Sequence, residues 1–221
     1  MKRIPWRYWL LITSGLLFLL DWYLVASQNS AVLAFDHHVR WLVNTHRTPA
    51  QTAFFTHFTR LFDPWPAVGW AGLFVLWLSW HRQWRWTAQF SLALCSGTLL
   101  NKVIKHLVNR PRPSAEVLMH YGGFSFPSGH SSGAALLLGG ILLVLLASPL
   151  SRRTKGWGSL CLGGLIILVG CSRIYVGAHF PSDVLGGWCL GIFVLSLWQI
   201  DFTHFLPHPT ALSAFKKAKC Q

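Results

Sequence analysis

Residues 157–202 read WGSLCLGGLIILVGCSRIYVGAHFPSDVLGGWCLGIFVLSLWQIDF, two apolar runs joined by a short polar segment. The runs, about Trp157–Ile174 and Val184–Phe202, match the roughly 17 to 25 residues that a helix needs to cross a bilayer. The end of the first run carries Arg173, and the joining segment carries His179 and Asp183. Charged groups at a membrane edge are costly and usually serve a function. The stretch therefore predicts two membrane helices with a polar site at their shared end.

Four further apolar runs extend this pattern over most of the chain. Of its 221 residues, 52% are hydrophobic and only 11% are charged, against about 25% charged residues in soluble domains. The further runs are about Trp9–Ala26, Trp65–Trp80, Trp86–Val108 and Ser131–Ala147. Tryptophan and tyrosine at many run ends are typical of membrane interfaces. The expected fold is all-α, with a single domain over residues 1–221 that forms a polytopic bundle of six transmembrane helices.

The longest segment between apolar runs is residues 28–63, which alternates apolar and polar residues. Phe35, Val39, Leu42 and Val43 recur at helical spacing. This spacing predicts one or two amphipathic helices at the outer interface, between the first and second spans. A loop packed on the bundle is an equally open alternative.

Small residues inside the runs have a structural interpretation. Glycine pairs and near-pairs in the last three runs predict close helix contacts. Cys95, Cys161, Cys171 and Cys189 are expected to be small buried apolar groups. Since no two cysteines form a CxxC pair, they indicate neither a disulfide framework nor a zinc site.

The distribution of lysine and arginine predicts the orientation. With the N-terminus inside, most basic residues on the opposite side adjoin the polar stretches. We therefore expect cytoplasmic termini, an extracytoplasmic polar site, and a basic tail (residues 216–219) touching the anionic inner leaflet. The first run follows Lys2-Arg3 as in a signal peptide. Because Asp21 interrupts that run, an uncleaved anchor is favoured.

The formal net charge of +13 suits nucleic acid, anionic lipid or a polyanionic substrate. Nucleic acid is the weakest of these, because the basic residues are scattered between apolar runs and match no nucleic-acid module. The expected partners are the lipid bilayer and an anionic substrate, and no obligate protein partner is evident.

The stretch KHLVNRPRP, residues 105–113, follows the third run. Pro111 and Pro113 stop the helix and stiffen the loop, so Arg112 can be held against a fixed target. A guanidinium binds phosphate oxygens in pairs, whereas the ammonium of Lys105 acts as a point charge. The alternative is a pair of cations that reach the lipid headgroups. Lys102 and Arg110 lie close enough that either could assist, but both are interpreted as lipid or interface contacts.

The stretch PSGH, residues 127–130, immediately precedes the fourth run. Ser128 is a natural N-cap, and the free backbone N–H groups of a helix start form an anion site. His130 would lie at that site. A simple helix cap is the alternative.

In the third stretch, Asp183 comes four residues after His179. Its carboxylate can accept a hydrogen bond from one imidazole nitrogen, which fixes the tautomer and leaves the other nitrogen as a nucleophile. An N-cap aspartate with a nearby surface histidine is the alternative. His106 and His120 lie in or near the loop before the fourth run and are candidates for lining the entrance to the polar site.

Together these spacings, K-x6-RP, PSGH and SR-x5-H-x3-D, resemble the type 2 phosphatidic acid phosphatase (PAP2) superfamily of membrane lipid phosphatases. Every motif position is filled within residues 105–183. The resemblance implies His179 as the nucleophile of a phosphohistidine intermediate, Asp183 as its orienting group and His130 as the general acid. It also implies phosphate binding by three cations and the helix start: Lys105, Arg112, Arg173, Ser128 and Gly129. Fixed cations can replace a metal, so neither metal nor cofactor is expected.

The resemblance implies hydrolysis of a lipid phosphate or diphosphate in a bacterial inner membrane. Undecaprenyl diphosphate is favoured only because it is the more frequent substrate among the bacterial members, with phosphatidylglycerophosphate next. Lipid A phosphatase and lipid-to-lipid phosphotransferase are alternatives within the family. An anion or lipid transporter is the alternative of another class, although charge or helix breaks near mid-span would then be expected. A catalytically inactive lipid-binding relative is disfavoured by the complete motifs.

Overall fold

The computed structural model describes residues 6–205, with side chains over residues 7–200. Within that range the chain forms eight helices and no strand: α1 (Trp6–Ala26), α2 (Ser30–Thr45), α3 (Pro49–Arg60), α4 (Pro64–Trp80), α5 (Trp84–Val108), α6 (Gly129–Ala147), α7 (Arg152–Tyr175) and α8 (Pro181–Phe205). The all-α prediction is confirmed. The basic tail at residues 216–219 lies outside the described residues.

Four of these helices are long and apolar enough to cross a membrane, namely α1, α6, α7 and α8. The pair α3 and α4, bent by 55° at its break, would supply a fifth span if it is counted as one. Helix α5 has 25 residues, but polar side chains interrupt its apolar run, and two of them, Gln89 and Asn101, are buried. Asn101 donates a hydrogen bond to the Ser132 hydroxyl at 3.0 Å. The structure thus supports four or five spans, and six stays a prediction.

Helix α8 packs against α1, α5 and α6, and glycine permits its close approach to α6. A Cβ atom added at Gly187 would lie 2.6 Å from the carbonyl oxygen of Ser128, and one at Gly191 would lie 2.6 Å from Ala135 Cβ. Any side chain at these positions would push the helices apart. The predicted close contact is therefore confirmed here, and it holds the start of α6 against the first turns of α8. The prediction was wrong for Gly163 and Gly164 of α7, where nothing lies within 4 Å of an added Cβ.

The segment between α1 and α4 forms two helices, α2 and α3, rather than an irregular loop. Helix α2 buries Asp36 and Arg40 and exposes Trp41 and Leu42. Its charged side therefore faces the protein and its apolar side faces outward, an arrangement that suits a lipid surround. The location of these helices at the membrane interface stays a prediction.

The break between α3 and α4 has a local cause. Pro64 begins α4, and Pro66 follows within its first turn. Because proline has no N–H, it is tolerated at a helix start but cannot continue a preceding helix. The break leaves Asp63 between the two helices, at the N-cap position of α4.

One prediction about the helix interiors was wrong. Cys95, Cys161 and Cys171 are exposed, and Cys189 is half-buried. Glycine and alanine at the helix contacts leave these cysteines on outward surfaces, where a small apolar thiol is tolerated.

Candidate active site

The predicted site residues gather at one end of the bundle. Helix α5 ends there and α6 begins there, just as α7 ends and α8 begins. Lys105 lies in the last turn of α5, Arg173 in the last turn of α7, and Asp183 in the first turn of α8. The two loops that join these helices carry Arg112 and His179. Because α5 and α7 end where α6 and α8 begin, the three sequence motifs lie at the same end of the bundle.

His179 and Asp183 form a buried pair. His179 Nδ1 lies 3.4 Å from Asp183 Oδ2, and the side chains are 1% and 0% exposed. On its other side, His179 Nε2 lies 3.0 Å from Arg112 Nη1. A guanidinium can only donate hydrogen bonds, so Nε2 must be the nitrogen that carries the lone pair. The proton therefore lies on Nδ1, facing the carboxylate.

The protonation state of His179 suits a nucleophile. Burial lowers the pKa of His179 to about 3, and the neighbouring Asp183 only partly opposes this effect. The cations Arg112 and Lys105 lower this pKa further. His179 is therefore neutral at physiological pH, and its Nε2 carries a lone pair that faces Arg112.

Asp183 is held by several donors at once. Its Oδ2 accepts hydrogen bonds from the Phe180 backbone N–H at 2.8 Å and from the Ser125 hydroxyl. Its Oδ1 accepts from Arg110 Nη1 at 2.8 Å. Because these donors fix both oxygens, the carboxylate has one orientation towards His179.

Arg110 was not assigned to the site from the sequence, and its interpretation as a lipid or interface contact was wrong. Its guanidinium bridges two buried carboxylates, Asp183 through Nη1 and Asp36 through Nη2 at 2.6 Å. Burial alone would lower the pKa of Arg110, but the two carboxylates more than offset this and raise it above its ordinary value. Asp36 also accepts hydrogen bonds from the backbone and hydroxyl of Ser182, at 2.9 and 2.7 Å. Helix α2 is thereby tied to the first turn of α8.

The sequence around Asp36 could have indicated its buried ion pair. The chain has only six acidic residues, and Asp36 stands within the mostly apolar run AVLAFDHHV. A carboxylate in such a place needs a buried partner. Arg110 is that partner, 74 residues away along the chain.

Arg173 is fully buried within α7. Its Nη1 donates to Thr59 Oγ1 at 2.6 Å and to the Tyr121 hydroxyl at 3.1 Å, and its guanidinium lies over the Tyr121 ring at 4.1 Å. Among the described residues, Nε and Nη2 of Arg173 are buried without a hydrogen-bond partner. Buried donors without partners are rare and costly, so these N–H groups fit a site for an anion.

Lys105 and Arg112 hold the loop between α5 and α6 in place. Lys105 Nζ donates to the carbonyl oxygen of Phe124 at 2.8 Å. Arg112 donates to the carbonyl oxygens of Gly123 at 3.0 Å and Ala178 at 2.9 Å. Burial and the nearby Arg173 lower the pKa of Arg112, as expected where like charges lie near one another. An anion between them would relieve that repulsion.

The start of α6 has the predicted cap. Ser128 is the N-cap residue, its hydroxyl oxygen accepts from the backbone N–H of Ser131, and its own N–H donates to the carbonyl oxygen of Asp183 at 2.8 Å. Gly129 and His130 are the first two helical residues. His130 Nε2 lies 2.8 Å from Asp63 Oδ1.

The remaining candidates lie at the margin of this cluster. Lys102, His106 and His120 are exposed, and the His106 ring meets that of Phe124 edge-on at 5.6 Å. The exposure of Lys102 suits the lipid contact expected of it. A role for either histidine at an entrance stays a prediction.

The sequence is similar to proteins that are named as lipid phosphatases. Phosphatidylglycerophosphatase B of Bacillus subtilis is 43% identical over 100 residues, which cover 45% of this chain and 49% of that protein. The undecaprenyl-diphosphatase BcrC of the same organism is 33% identical over 104 residues, again 45% and 49% of the two chains. The matched segments thus span about half the length of these relatives.

Solved structures share the fold over more of the chain. A transmembrane PAP2 type phosphatidylglycerolphosphate phosphatase from Bacillus subtilis superposes with a TM-score of 0.81 at 29% identity, covering 89% of this chain and 98% of that one. LpxE of Aquifex aeolicus gives a TM-score of 0.58 at 28% identity, covering 74% and 93%. The family model of the PAP2 superfamily matches residues 86–205, more than half of the sequence. The chain therefore belongs to the PAP2 superfamily.

Proposed function

We propose that this protein is a membrane lipid phosphatase that hydrolyses a lipid phosphate or diphosphate through a phosphohistidine at His179. The observation that carries the proposal is the neutral, buried imidazole of His179, whose Nε2 lone pair lies 3.0 Å from Arg112. A nucleophile is thereby placed beside a group that binds phosphate oxygens. The phosphatase names of the relatives support the same reaction.

Three cations would bind the phosphoryl group. The unpartnered Nε and Nη2 groups of Arg173 can donate to two oxygens, and Arg112 and Lys105 can turn from backbone carbonyls to the others. The first turn of α6, with Ser128 and Gly129, adds the dipole of a helix N-terminus. Phosphoryl transfer depends mostly on such positioning and charge neutralisation.

The reaction would proceed in two balanced steps. His179 Nε2 forms a bond to phosphorus while the bond to the leaving oxygen breaks, and His130 gives its proton to that oxygen. Asp183 stabilises the positive charge that develops on His179. His130 then takes a proton from water, the hydroxide attacks phosphorus, the N–P bond breaks, and inorganic phosphate leaves.

The donor set favours chemistry without a metal. A hard cation such as Mg²⁺ prefers several carboxylate or carbonyl oxygens. Over the described residues no group of three or more histidine, cysteine or acidic side chains is placed to hold an ion. The carboxylates near the site are instead engaged by Arg110 and by the two histidines.

We further propose that the site faces the extracytoplasmic side of a bacterial inner membrane, with cytoplasmic termini. The support is the excess of lysine and arginine in the segments at the opposite end of the helices. The bilayer and its lipid phosphate are the partners that this arrangement requires. We place phosphatidylglycerophosphate ahead of undecaprenyl diphosphate as substrate, since a relative that is 43% identical over 100 residues and a solved structure with a TM-score of 0.81 both carry that activity in their names.

Phosphate release should be measured with purified protein in detergent containing EDTA, against four lipids. These are phosphatidylglycerophosphate, undecaprenyl diphosphate, phosphatidic acid and a lipid A phosphate. We compare kcat/KM, because this ratio reports how well each lipid is bound in the transition state. We expect the highest value with phosphatidylglycerophosphate, the lipid in the names of the two relatives cited above. Protein-free micelles supply the background rate.

Other results would redirect the proposal. A faster rate with another lipid overturns the choice of substrate but not the reaction. Phosphate that appears on a second lipid, and not in water, would indicate a phosphotransferase. Activity that EDTA abolishes and Mg²⁺ restores would contradict the metal-free mechanism.

A further inference from the structure

A second carboxylate–histidine pair lies beside the proposed phosphate site. His130 Nε2 is 2.8 Å from Asp63 Oδ1, and the same oxygen accepts a hydrogen bond from the Tyr121 hydroxyl at 3.0 Å. Asp63 belongs to none of the three motifs and lies 67 residues from His130 in sequence. It lies at the break between α3 and α4.

The side chain of Asp63 contacts His130 and does not cap its own helix. It occupies the N-cap position of α4 yet makes no side-chain hydrogen bond to the helix. An aspartate at an N-cap ordinarily accepts from the backbone of the first turn. Here both donors to Oδ1 come from other segments, His130 of α6 and Tyr121 of the loop between α5 and α6.

Tyr121 couples this pair to the phosphate site. Its hydroxyl donates to Asp63 and accepts from Arg173 Nη1 at 3.1 Å, so its one proton and one acceptor position are both used. The Tyr121 ring also meets the His130 ring edge-on at 5.6 Å. His130 is thereby held relative to the guanidinium that would bind the phosphoryl group.

We infer that Asp63 is a positioning residue for His130, one that fixes the Nε2–H of the imidazole and so presents Nδ1 to the leaving oxygen. This inference rests on the proposed function. In the first step the Nδ1 proton moves to the leaving oxygen as the P–O bond breaks and the bond from His179 forms. In the second step Nδ1 takes a proton from water. Asp63 stays ionised throughout and stabilises the imidazolium form of His130.

The two pairs differ in a way that suits two roles. The His179–Asp183 pair is 1% and 0% exposed, which keeps the nucleophile neutral and rigid. The side chains of His130 and Asp63 are 11% and 27% exposed. A general acid must exchange protons in every turnover, and access to water serves that exchange. Two histidines with different environments thereby take different roles.

The test compares Asp63→Asn with the native protein on two substrates that carry the same alkyl chain, an alkyl phosphate and a nitrophenyl phosphate. An alkoxide is a poor leaving group and needs a proton from the acid, whereas nitrophenolate leaves without one. The quantity compared is kcat/KM, which reports the steps up to departure of the leaving group and so excludes the later attack of water on the phosphohistidine. We expect kcat/KM for the alkyl phosphate to fall by about tenfold or more, and kcat/KM for the nitrophenyl phosphate to change by less than about twofold. His130→Ala should show the same selectivity with a larger loss, and the double variant should lose no more than His130→Ala.

Several outcomes would overturn the inference. Equal losses on both substrates would mean that Asp63 only supports the structure, and unchanged rates on both would mean that it does not act. Glu116→Gln, a carboxylate-to-amide change at an exposed residue, is the matched control, and thermal unfolding of each variant monitors folding. If Asp63→Asn does not fold, Asp63→Ser is judged by the same ratio of rates. Failure of the native protein to release phosphate from either substrate would instead reject the proposed function.

Discussion

Replacing His179 with alanine is expected to lower kcat for phosphate release by about 10⁴-fold or more, the scale of loss when one member of a cooperating catalytic unit is removed. Water would then have to attack the phosphorus directly, without a positioned nucleophile. The cations would still bind the substrate, so KM should change far less than kcat. The measurement is steady-state phosphate release from phosphatidylglycerophosphate in detergent.

His57→Ala is the matched control for this substitution. His57 is also an imidazole, but it is exposed on α3 and its Nδ1 hydrogen-bonds to the backbone carbonyl of Ala53 in its own helix. Its removal should leave kcat within about twofold, as is usual for surface changes. A His179→Ala protein with the native kcat would contradict the assignment of the nucleophile.

Replacing Arg110 with methionine should reduce both stability and activity. Asp36 and Asp183 are fully buried and share this one guanidinium. Removing one partner of a buried ion pair typically costs about 3–5 kcal/mol, and here two carboxylates lose their counter-ion. Asp183 would also lose the donor that fixes Oδ1, so kcat should fall even in the protein that remains folded. Thermal unfolding and phosphate release, measured on the same preparation, separate the two effects.

Two further variants show whether the loss comes from uncompensated charge. Arg60→Met removes an exposed arginine at the end of α3 and should leave the unfolding temperature unchanged. Adding Asp36→Asn to Arg110→Met removes one unpaired carboxylate and should restore part of the stability. If Arg110→Met unfolds at the native temperature and retains the native kcat, the buried network has no role in holding Asp183.

The three motifs allowed the sequence to predict side chains that the structure brings together at one end of the bundle, because the spacing within each motif is local. His179 and Asp183 are four residues apart, and Ser128 to His130 are consecutive at a helix start. Spacing of this kind can be interpreted without a fold. The meeting of the three stretches followed from membrane topology, since alternate helix ends lie on the same side.

The residues that sequence reasoning missed act across long separations. Arg110 meets Asp36 over 74 residues, and Asp63 meets His130 over 67. Their pairing depends on how α2 and the break before α4 pack on the bundle, which no local pattern encodes. The apolar spacing in α2 correctly predicted a helix, but it did not show that Asp36 and Arg40 turn inward.

The number of spans differs between the sequence prediction and the structure for a physical reason. Helix α5 carries buried amides, Gln89 and Asn101, and a lysine near its end, Lys105. Each lowers the apolar character of the run although each has a place inside the bundle. A count of apolar residues along the chain therefore gives too low a score to a membrane helix whose polar side chains face the inside of the bundle.

The most direct measurement is to trap the intermediate. The protein is mixed with a lipid substrate carrying a radiolabelled phosphate, quenched rapidly in base, digested and sequenced. A phosphohistidine is stable in base and lost in acid, and the account predicts label on the peptide that contains His179. Label on any other residue would contradict it.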